Sequence, residues 1–381
     1  MTETRKPTQT EISDTFRSLG TTLNEVQQGQ ILTEKSACFA LSQILGCDDP
    51  MIDHEWVALF SAIQTRGASK DEIKGFMRAA ASFDDNIVLR NDQKPNLGAQ
   101  PLYAICGSGK DTWKTFNIST AASFIAASCG VKVLKPGSSS VSSVSGNLDV
   151  IGQLKMCAFD DENDLKEALE KTGIAVASFH NLVPRYAERY DGRFASFHPL
   201  SYVMPVAAIP YKIDGISYGI ADSNVELGRD VISEVTGIKK IVVASSKNSR
   251  NQITDEFCPF GTRRAATLVD GHKKLFEASE KGTFEQRQAI QHGDTHEDNA
   301  QKIVESLPSK RDNPTTKTAC YAAATILHEA TGKNLRECYL DAVNAVESGQ
   351  AYKKMLEYRD FCKDKKRESV GIKTEEHELA P

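Results

Sequence analysis

Between Tyr103 and Val150 the chain gathers residue types that capture anions. Tyr103-Ala104-Ile105-Cys106 is a short apolar run that reads as a buried strand, and Gly107-Ser108-Gly109-Lys110-Asp111 turns sharply after it. Glycines there permit close backbone approach by a ligand. Asn117-Ile118-Ser119-Thr120 supplies side-chain oxygens at the start of a helix read over residues 121–129, which Gly130 stops. Val131-Lys132-Val133-Leu134 reads as a second strand, feeding a loop with six serines between Ser138 and Ser145. Hydroxyls, glycine-turn amides and a helix N-terminus carrying roughly half a positive charge make a phosphate cradle. Lys110, Lys114 and Lys135 add full charges. Asp111 suits a phosphate nest only when a cation or a hydroxyl accompanies the phosphate, so the pattern points to phosphate plus metal. For either loop taken alone, a plain surface turn is the competing reading. Two familiar phosphate motifs are absent. A P-loop needs Gly at 104 and Ser or Thr at 111, where this chain has Ala104 and Asp111. Thr112 stands where the dinucleotide fingerprint needs its third Gly.

The elements that must hold these loops are legible in outline. Apolar residues recur at helical spacing through 23–45 and again through 53–65, with Val57, Phe60 and Ile63 on one face. Residues 1–20 are polar and read as partly loose. Ser69 with Glu72 three residues on is a capping-box signature. Residues 91–100, with Pro95 and Gly98, read as a linker. A helix over 165–171 precedes a strand over 173–177, and 238–244 is a further apolar strand. Strands alternating with helices imply a largely parallel sheet covered on both faces. After the last strand, Asp255-Glu256 places adjacent carboxylates on a loop, a pairing that suits a hard divalent cation completed by substrate phosphates. Gln291 to Glu297 looks like a metal cluster, but Asp294 as N-cap with Glu297 explains it as a helix start. Further helices are read over 318–329 and 340–354.

Composition narrows the class. A chain of 381 residues with 46 basic and 51 acidic side chains has a net charge of −5, and nothing in that balance calls for nucleic acid or an anionic membrane. No apolar run reaches the ~20 residues needed to span a bilayer. The start, MTETRKPTQTE, lacks the apolar core of a signal peptide, so cytoplasm is expected. The nine cysteines are scattered, odd in number and contain no C-x-x-C pair, which indicates neither a zinc site nor a full disulfide framework.

The central stretch resembles the anthranilate phosphoribosyltransferase family. That family carries G-T-G-G-D, then N-[IV]-S-T, K-H-G-N-R-x-V-S-S and S-G-S-A-D. Here the four read Gly107-Ser108-Gly109-Lys110-Asp111, Asn117-Ile118-Ser119-Thr120, Lys135-Pro136-Gly137-Ser138-Ser139-Ser140-Val141-Ser142-Ser143 and Ser145-Gly146-Asn147-Leu148-Asp149, in order and without gaps. Residues 66–79 and Asp255-Glu256-Phe257-Cys258-Pro259 resemble two more of its segments.

The resemblance implies an α/β fold of the nucleoside phosphorylase/phosphoribosyltransferase type. It has a small all-helical domain over 1–95, on which residues ~185–210 pack back, and a large α/β domain over 96–360 with a mainly parallel central sheet. Residues 361–381 form a charged tail, expected to be disordered. It implies transfer of the phosphoribosyl group of phosphoribosyl pyrophosphate (PRPP) to a nitrogen nucleophile, anthranilate or a related aromatic amine or heterocycle. PRPP is then held by Gly107, Lys110, Asp111, Thr115, Asn117, Ile118, Ser119, Thr120, Lys135, Gly137, Ser138, Ser139, Ser142, Ser143 and Asn147. Mg²⁺ falls to Ser119, Asp255 and Glu256. The acceptor falls to Gly107, Ser138, Arg189 and Arg193, with ordinary surface arginines as the competing reading of the last two. No catalytic general base is identifiable, and a homodimer is expected.

The chain departs from the family at telling places. Lys110 replaces a glycine, where it either neutralises pyrophosphate or obstructs it. Pro136, Ser138 and Ser139 replace His, Asn and Arg, and Asn147 replaces Ser. The donor side is thus largely kept and the acceptor side rewritten. A nucleoside phosphorylase and a non-enzymatic binding paralogue of the same fold remain as alternatives.

Overall fold

The computed structural model describes residues 9–138, 146–190 and 192–369. It begins with four helices, α1 (Gln9–Gln27), α2 (Glu34–Leu45), α3 (Ile52–Arg66) and α4 (Lys70–Phe83). Their apolar faces meet in a core that includes Leu41, Ile44, Trp56, Phe60 and Phe76. Ser69 and Glu72 close the expected capping box on α4. Two expectations need correction. The helical periodicity through 23–45 is broken, because Gly29 takes φ +88 and Thr33 caps a new helix. The polar start is helical from Gln9, where Leu19 and Val26 find core partners.

The remaining chain is α/β. β1 (Leu102–Gly107), α5 (Ile118–Ser128), β2 (Lys132–Gly137), α6 (Asn147–Gln153), α7 (Glu162–Thr172) and β3 (Ile174–Ser178) form its first half. Three short helices follow, α8 (Phe179–Leu182), α9 (Pro184–Tyr190) and α10 (Met204–Ala207). They reach back to the N-terminal helices: the Tyr186 amide donates to Asp84 at 2.9 Å, and Phe194 sits edge-on to Trp56 at 5.2 Å. The chain returns through β4 (Gly215–Gly219), α11 (Val225–Thr236), β5 (Ile241–Lys247) and β6 (Ile253–Thr254). A long hairpin, β7 (Gly261–Val269) and β8 (His272–Glu280), is turned by Asp270 and Gly271, both at positive φ.

Among the described residues the sheet runs β3-β2-β1-β4-β5-β7-β8, with β6 beside β5. Strands β3 to β5 of that order are parallel, and the hairpin and β6 pair antiparallel. Successive strands depart from β1 in opposite directions, β2 on one side and β4 on the other. The ends of β1, β2 and β4 therefore open a crevice at a topological switch point, where ligands of open α/β sheets bind.

Helices α12 (Phe284–Ala289), α13 (His296–Ser306), α14 (Pro314–Thr331), α15 (Leu335–Glu347) and α16 (Gln350–Ser369) complete the chain. The cap of α13 lies one residue beyond the expected Asp294: Thr295 accepts from the Asp298 amide at 3.1 Å and Asp298 returns the bond at 3.0 Å. The helix read over 340–354 is two helices, parted at Ser348 and Gly349. The tail expected to be disordered from 361 is helical through Ser369, because Phe361 and Cys362 are buried against the α/β core. Residues beyond 369 lie outside the described ones. No helix among the described residues is long and apolar enough to cross a membrane.

Candidate active site

A cavity of about 230 Å³ lies at the ends of β1 and β2. Its border joins the loop 107–111, Lys114 to Asn117, Ser119, Lys135 to Ser138, Gly146, Asn147, Asp255 and Glu256. Residues far apart in sequence are thus brought together as the loop pattern requires.

The first loop is tied to the Asp-Glu segment. Gly109 N–H donates to Asp255 Oδ2 at 2.7 Å, and Ser108 Oγ donates to the same oxygen at 3.1 Å. Asp111 Oδ1 accepts from the Asp255 amide at 2.6 Å. A side chain at Gly107 would put its Cβ 2.5 Å from Asp255 Oδ2, so only glycine lets the carboxylate approach. Helix α5 starts at the cavity, and its Ser119 N–H donates to Glu256 Oε1 at 3.0 Å. Glu256 thereby satisfies one of the orphan amides that every helix N-terminus leaves. Thr120 Oγ1 donates to Asn147 Oδ1 at 2.6 Å, which couples α5 to α6.

The electrostatics are those of crowded acids. Burial, then the Asp255 charge, pushes the Glu256 carboxyl up to about 8, against the pull of Lys135 and the Ser119 amide. Burial and Asp255 also hold Asp111 well above the usual carboxylate range. Burial lowers Lys135 even though Cys106, Glu256 and Asp255 favour its charge. A cation beside these acids relieves the upward pressure on the two carboxyls. Among the described residues no group of three or more His, Cys, Asp and Glu side chains encloses a metal site. Two carboxylates open to a cavity are nonetheless what Mg²⁺ takes when water and substrate phosphates supply the rest. Asp255 and Glu256 fit that share.

The expected site residues divide clearly. Gly107, Lys110, Asp111, Thr115, Asn117, Ser119, Lys135, Gly137, Ser138 and Asn147 border the cavity, as do Asp255 and Glu256. Ile118 and Thr120 do not; they are buried in the first turn of α5. Ser139, Ser142 and Ser143 lie outside the described residues. Arg189 and Arg193 are not brought to the cavity. Arg189 Nη1 pairs with Asp53 Oδ1 at 2.6 Å and Arg193 Nε with Asp53 Oδ2 at 3.1 Å, so one carboxylate of α3 draws both guanidinium groups away.

The segment returning from β3 supplies a wall that the loop motifs do not announce. Phe179, Tyr190, His198, Leu200, Ser201, Met204 and Pro205 border the cavity. Tyr190 Oη and His198 Nε2 are 2.7 Å apart, and burial with the nearby Lys110 charge presses the imidazole down to about 3. The signal for this wall is the density of aromatic and apolar residues from 179 to 205, which in a sequence equally describes ordinary core.

Comparison with known proteins finds relatives over most of the chain. A family model described as "Glycosyl transferase family, a/b domain" matches residues 99–193. An anthranilate phosphoribosyltransferase of Methanococcus maripaludis is 28% identical over 316 residues, covering 80% of this chain and 90% of the relative. One from Syntrophomonas wolfei is 26% identical over 352 residues, covering 90% and 97%. The solved anthranilate phosphoribosyltransferase of Saccharomyces cerevisiae in complex with PRPP and Mg superposes with a TM-score of 0.69 at 16% identity, over 91% of this chain and 98% of that one. The Thermus thermophilus structure gives 0.66 at 19% identity, over 90% and 99%. The structural matches establish a shared fold.

Proposed function

Because the chain belongs to the anthranilate phosphoribosyltransferase family, we propose that it moves the 5-phosphoribosyl group of PRPP to a nitrogen nucleophile, an aromatic amine or heterocycle, with release of pyrophosphate. The observation that carries this reading is the meeting of the first phosphate-type loop, Lys135 to Ser138, the start of α5 and the Asp255-Glu256 pair around one cavity. In the reading, the loop 107–111 and Asn117 to Ser119 hold the pyrophosphate, and Lys135 to Ser138 border the ribosyl phosphate. Ser119, Asp255 and Glu256 hold Mg²⁺, which when bound neutralises charge on the leaving pyrophosphate. In the transfer the bond from ribose C1 to the pyrophosphate oxygen breaks and a bond from C1 to the acceptor nitrogen forms. Positive charge builds on the ribose, so cations and donors aimed at the leaving group matter more than a covalent nucleophile. No side chain is assigned as general base. A homodimer goes with this reading and is tested by sedimentation.

Calorimetric titration of PRPP with and without Mg²⁺ tests the donor side. Binding that needs Mg²⁺ and fails in Asp255→Asn and Glu256→Gln supports the proposal; Mg²⁺-independent binding, or none, removes it. One observation favours a second reading, a descendant that binds no PRPP. Asp255 and Glu256 already occupy the Gly109 and Ser119 amides that a phosphate needs. The same titration separates the two.

A further inference from the structure

Two cysteines away from the cavity meet where α16 crosses the connection between α6 and α7. Tyr358, Cys362 and Lys366 stand four residues apart on α16, so they line one face of it. The Tyr358 hydroxyl donates to the Cys157 carbonyl at 2.8 Å and accepts from the Val176 amide of β3 at 3.1 Å. The Cys157 amide donates to the Cys362 sulfur at 3.2 Å, and the Cys157 sulfur lies 3.8 Å from the Cys362 carbonyl. Ring contacts fix the crossing on both sides, Phe159 with Phe361 at 5.8 Å and Phe124 with Tyr358 at 6.2 Å. The two thiols therefore face each other across a packed junction. Cys362 is fully buried, whereas Cys157 keeps part of its surface open to solvent.

The pair is chemically uneven. A hydrogen bond from the Cys362 thiol, and then the Lys366 charge, bring Cys157 down to about 7 against the effect of burial. The same bond, together with burial, raises Cys362. The thiolate is the nucleophilic form, and attack is fastest when the thiol's pKa lies near the ambient pH. Burial raises Cys106, Cys258 and Cys320 instead. Cys129 is exposed, yet desolvation of its sulfur and the Asp341 charge push it up to about 11. We propose that Cys157 is a site of oxidative modification by hydroperoxides, and that Cys362 closes a disulfide with it between α16 and the α6–α7 connection. The Cys157 thiolate attacks a peroxide oxygen, the O–O bond breaks and hydroxide leaves, so that Cys157 becomes a sulfenic acid. The Cys362 sulfur then attacks the Cys157 sulfur, the S–O bond breaks, and water leaves with the Cys362 proton. The two sulfurs lose two electrons and hydrogen peroxide gains them, ending as two waters. The new bond fastens α16 to the exit of α6, whose first residue, Asn147, borders the cavity. The proposal does not depend on the phosphoribosyl-transfer reading.

Alkylation of the native protein by limiting iodoacetamide at pH ~7, read by peptide mass spectrometry, compares the cysteines within one sample. A pKa of about 7 against about 11 raises the thiolate fraction several-thousand-fold, and the weaker intrinsic nucleophilicity of the more acidic thiol offsets roughly half of that on a logarithmic scale. Cys157 should therefore react at least about tenfold faster than Cys129, although Cys129 is the more exposed. Hydrogen peroxide at less than one equivalent, followed by mapping without reductant, should give a 157–362 cross-link as the first oxidation product, reversed by dithiothreitol. In Cys362→Ser a 1,3-dione should trap the sulfenic acid on Cys157, and in Cys157→Ser the thiol of Cys362 should stay reduced. Lys366→Gln, at an exposed position, should slow alkylation of Cys157 and leave Cys129 unchanged. Alkylation of Cys157 no faster than that of Cys129, a first oxidation on another cysteine, or an oxidised Cys157 that never links to Cys362 in wild type overturns the proposal. The alkylation and cross-link measurements use wild type alone, so they decide the matter even where a change at the buried Cys362 loosens the fold.

Discussion

Glu329 offers a prediction whose size follows from its surroundings. It lies on α14 beneath the sheet, fully buried, with its Oε2 close enough to Gly215 that a Cβ there would stand 3.1 Å away. Neither carboxylate oxygen has a hydrogen-bond partner at ordinary geometry. Burial holds the carboxyl well above its usual range, outweighing the Val242 amide and the Lys240 charge. In the unfolded chain the same group ionises near ~4.3. Above that pH the folded state retains a proton that the unfolded state has lost, so stability falls as pH rises. The slope is about 1.4 kcal/mol per pH unit for as long as the folded carboxyl stays protonated. Glu329→Gln is neutral in both states and nearly isosteric, so its stability has no such slope from this position. Urea unfolding of both proteins at about pH 5, 6 and 7 should show the variant gaining on wild type as pH rises, by up to about 1.4 kcal/mol per pH unit. A difference that stays constant with pH would refute the reasoning, whatever its sign.

The remaining predictions are brief. Gly107→Ala puts a Cβ 2.5 Å from Asp255 Oδ2, so Mg²⁺-dependent PRPP binding should fall by at least about tenfold with the fold retained by circular dichroism. Lys94 is buried, donates to the Ala207 and Ile209 carbonyls, and burial presses its pKa down to about 7. Its folded value lies below the unfolded one, so wild type should gain stability from pH ~7 toward pH ~10. In Lys94→Met that gain should shrink, as urea midpoints would report. His198, held neutral, should show no imidazole titration by NMR between pH ~5 and ~8; a titrating signal would contradict its enclosure.

What was legible in the sequence had local causes. The β1–α5–β2 stretch announces itself through apolar runs, glycine turns and a helix start within a few residues, and the Ser69–Glu72 capping box needs only four. The Asp255-Glu256 pair was readable because a strand and a turn precede it. The fate of the arginines was not, since Asp53 meets Arg189 across 136 residues of chain and only the tertiary fold brings them together. The direction of Lys110 depends likewise on a backbone turn at Gly109 and on aromatic partners from Tyr190 to His198. The α13 cap slipped by one residue because Asp294 and Thr295 are both good caps, and only Thr295 finds a reciprocal partner in Asp298. The β7–β8 hairpin did carry a local signal, Asp270-Gly271, that the sequence reading passed over.

The central claim is phosphoribosyl transfer, and pyrophosphate release tests it most directly. The purified protein is mixed with PRPP, Mg²⁺ and anthranilate, and release is followed against a control without acceptor. The account predicts release that depends on the acceptor and on Mg²⁺ and that disappears in Asp255→Asn. A protein that binds PRPP and Mg²⁺ yet releases no pyrophosphate with anthranilate or with any other aromatic amine or heterocycle would contradict it.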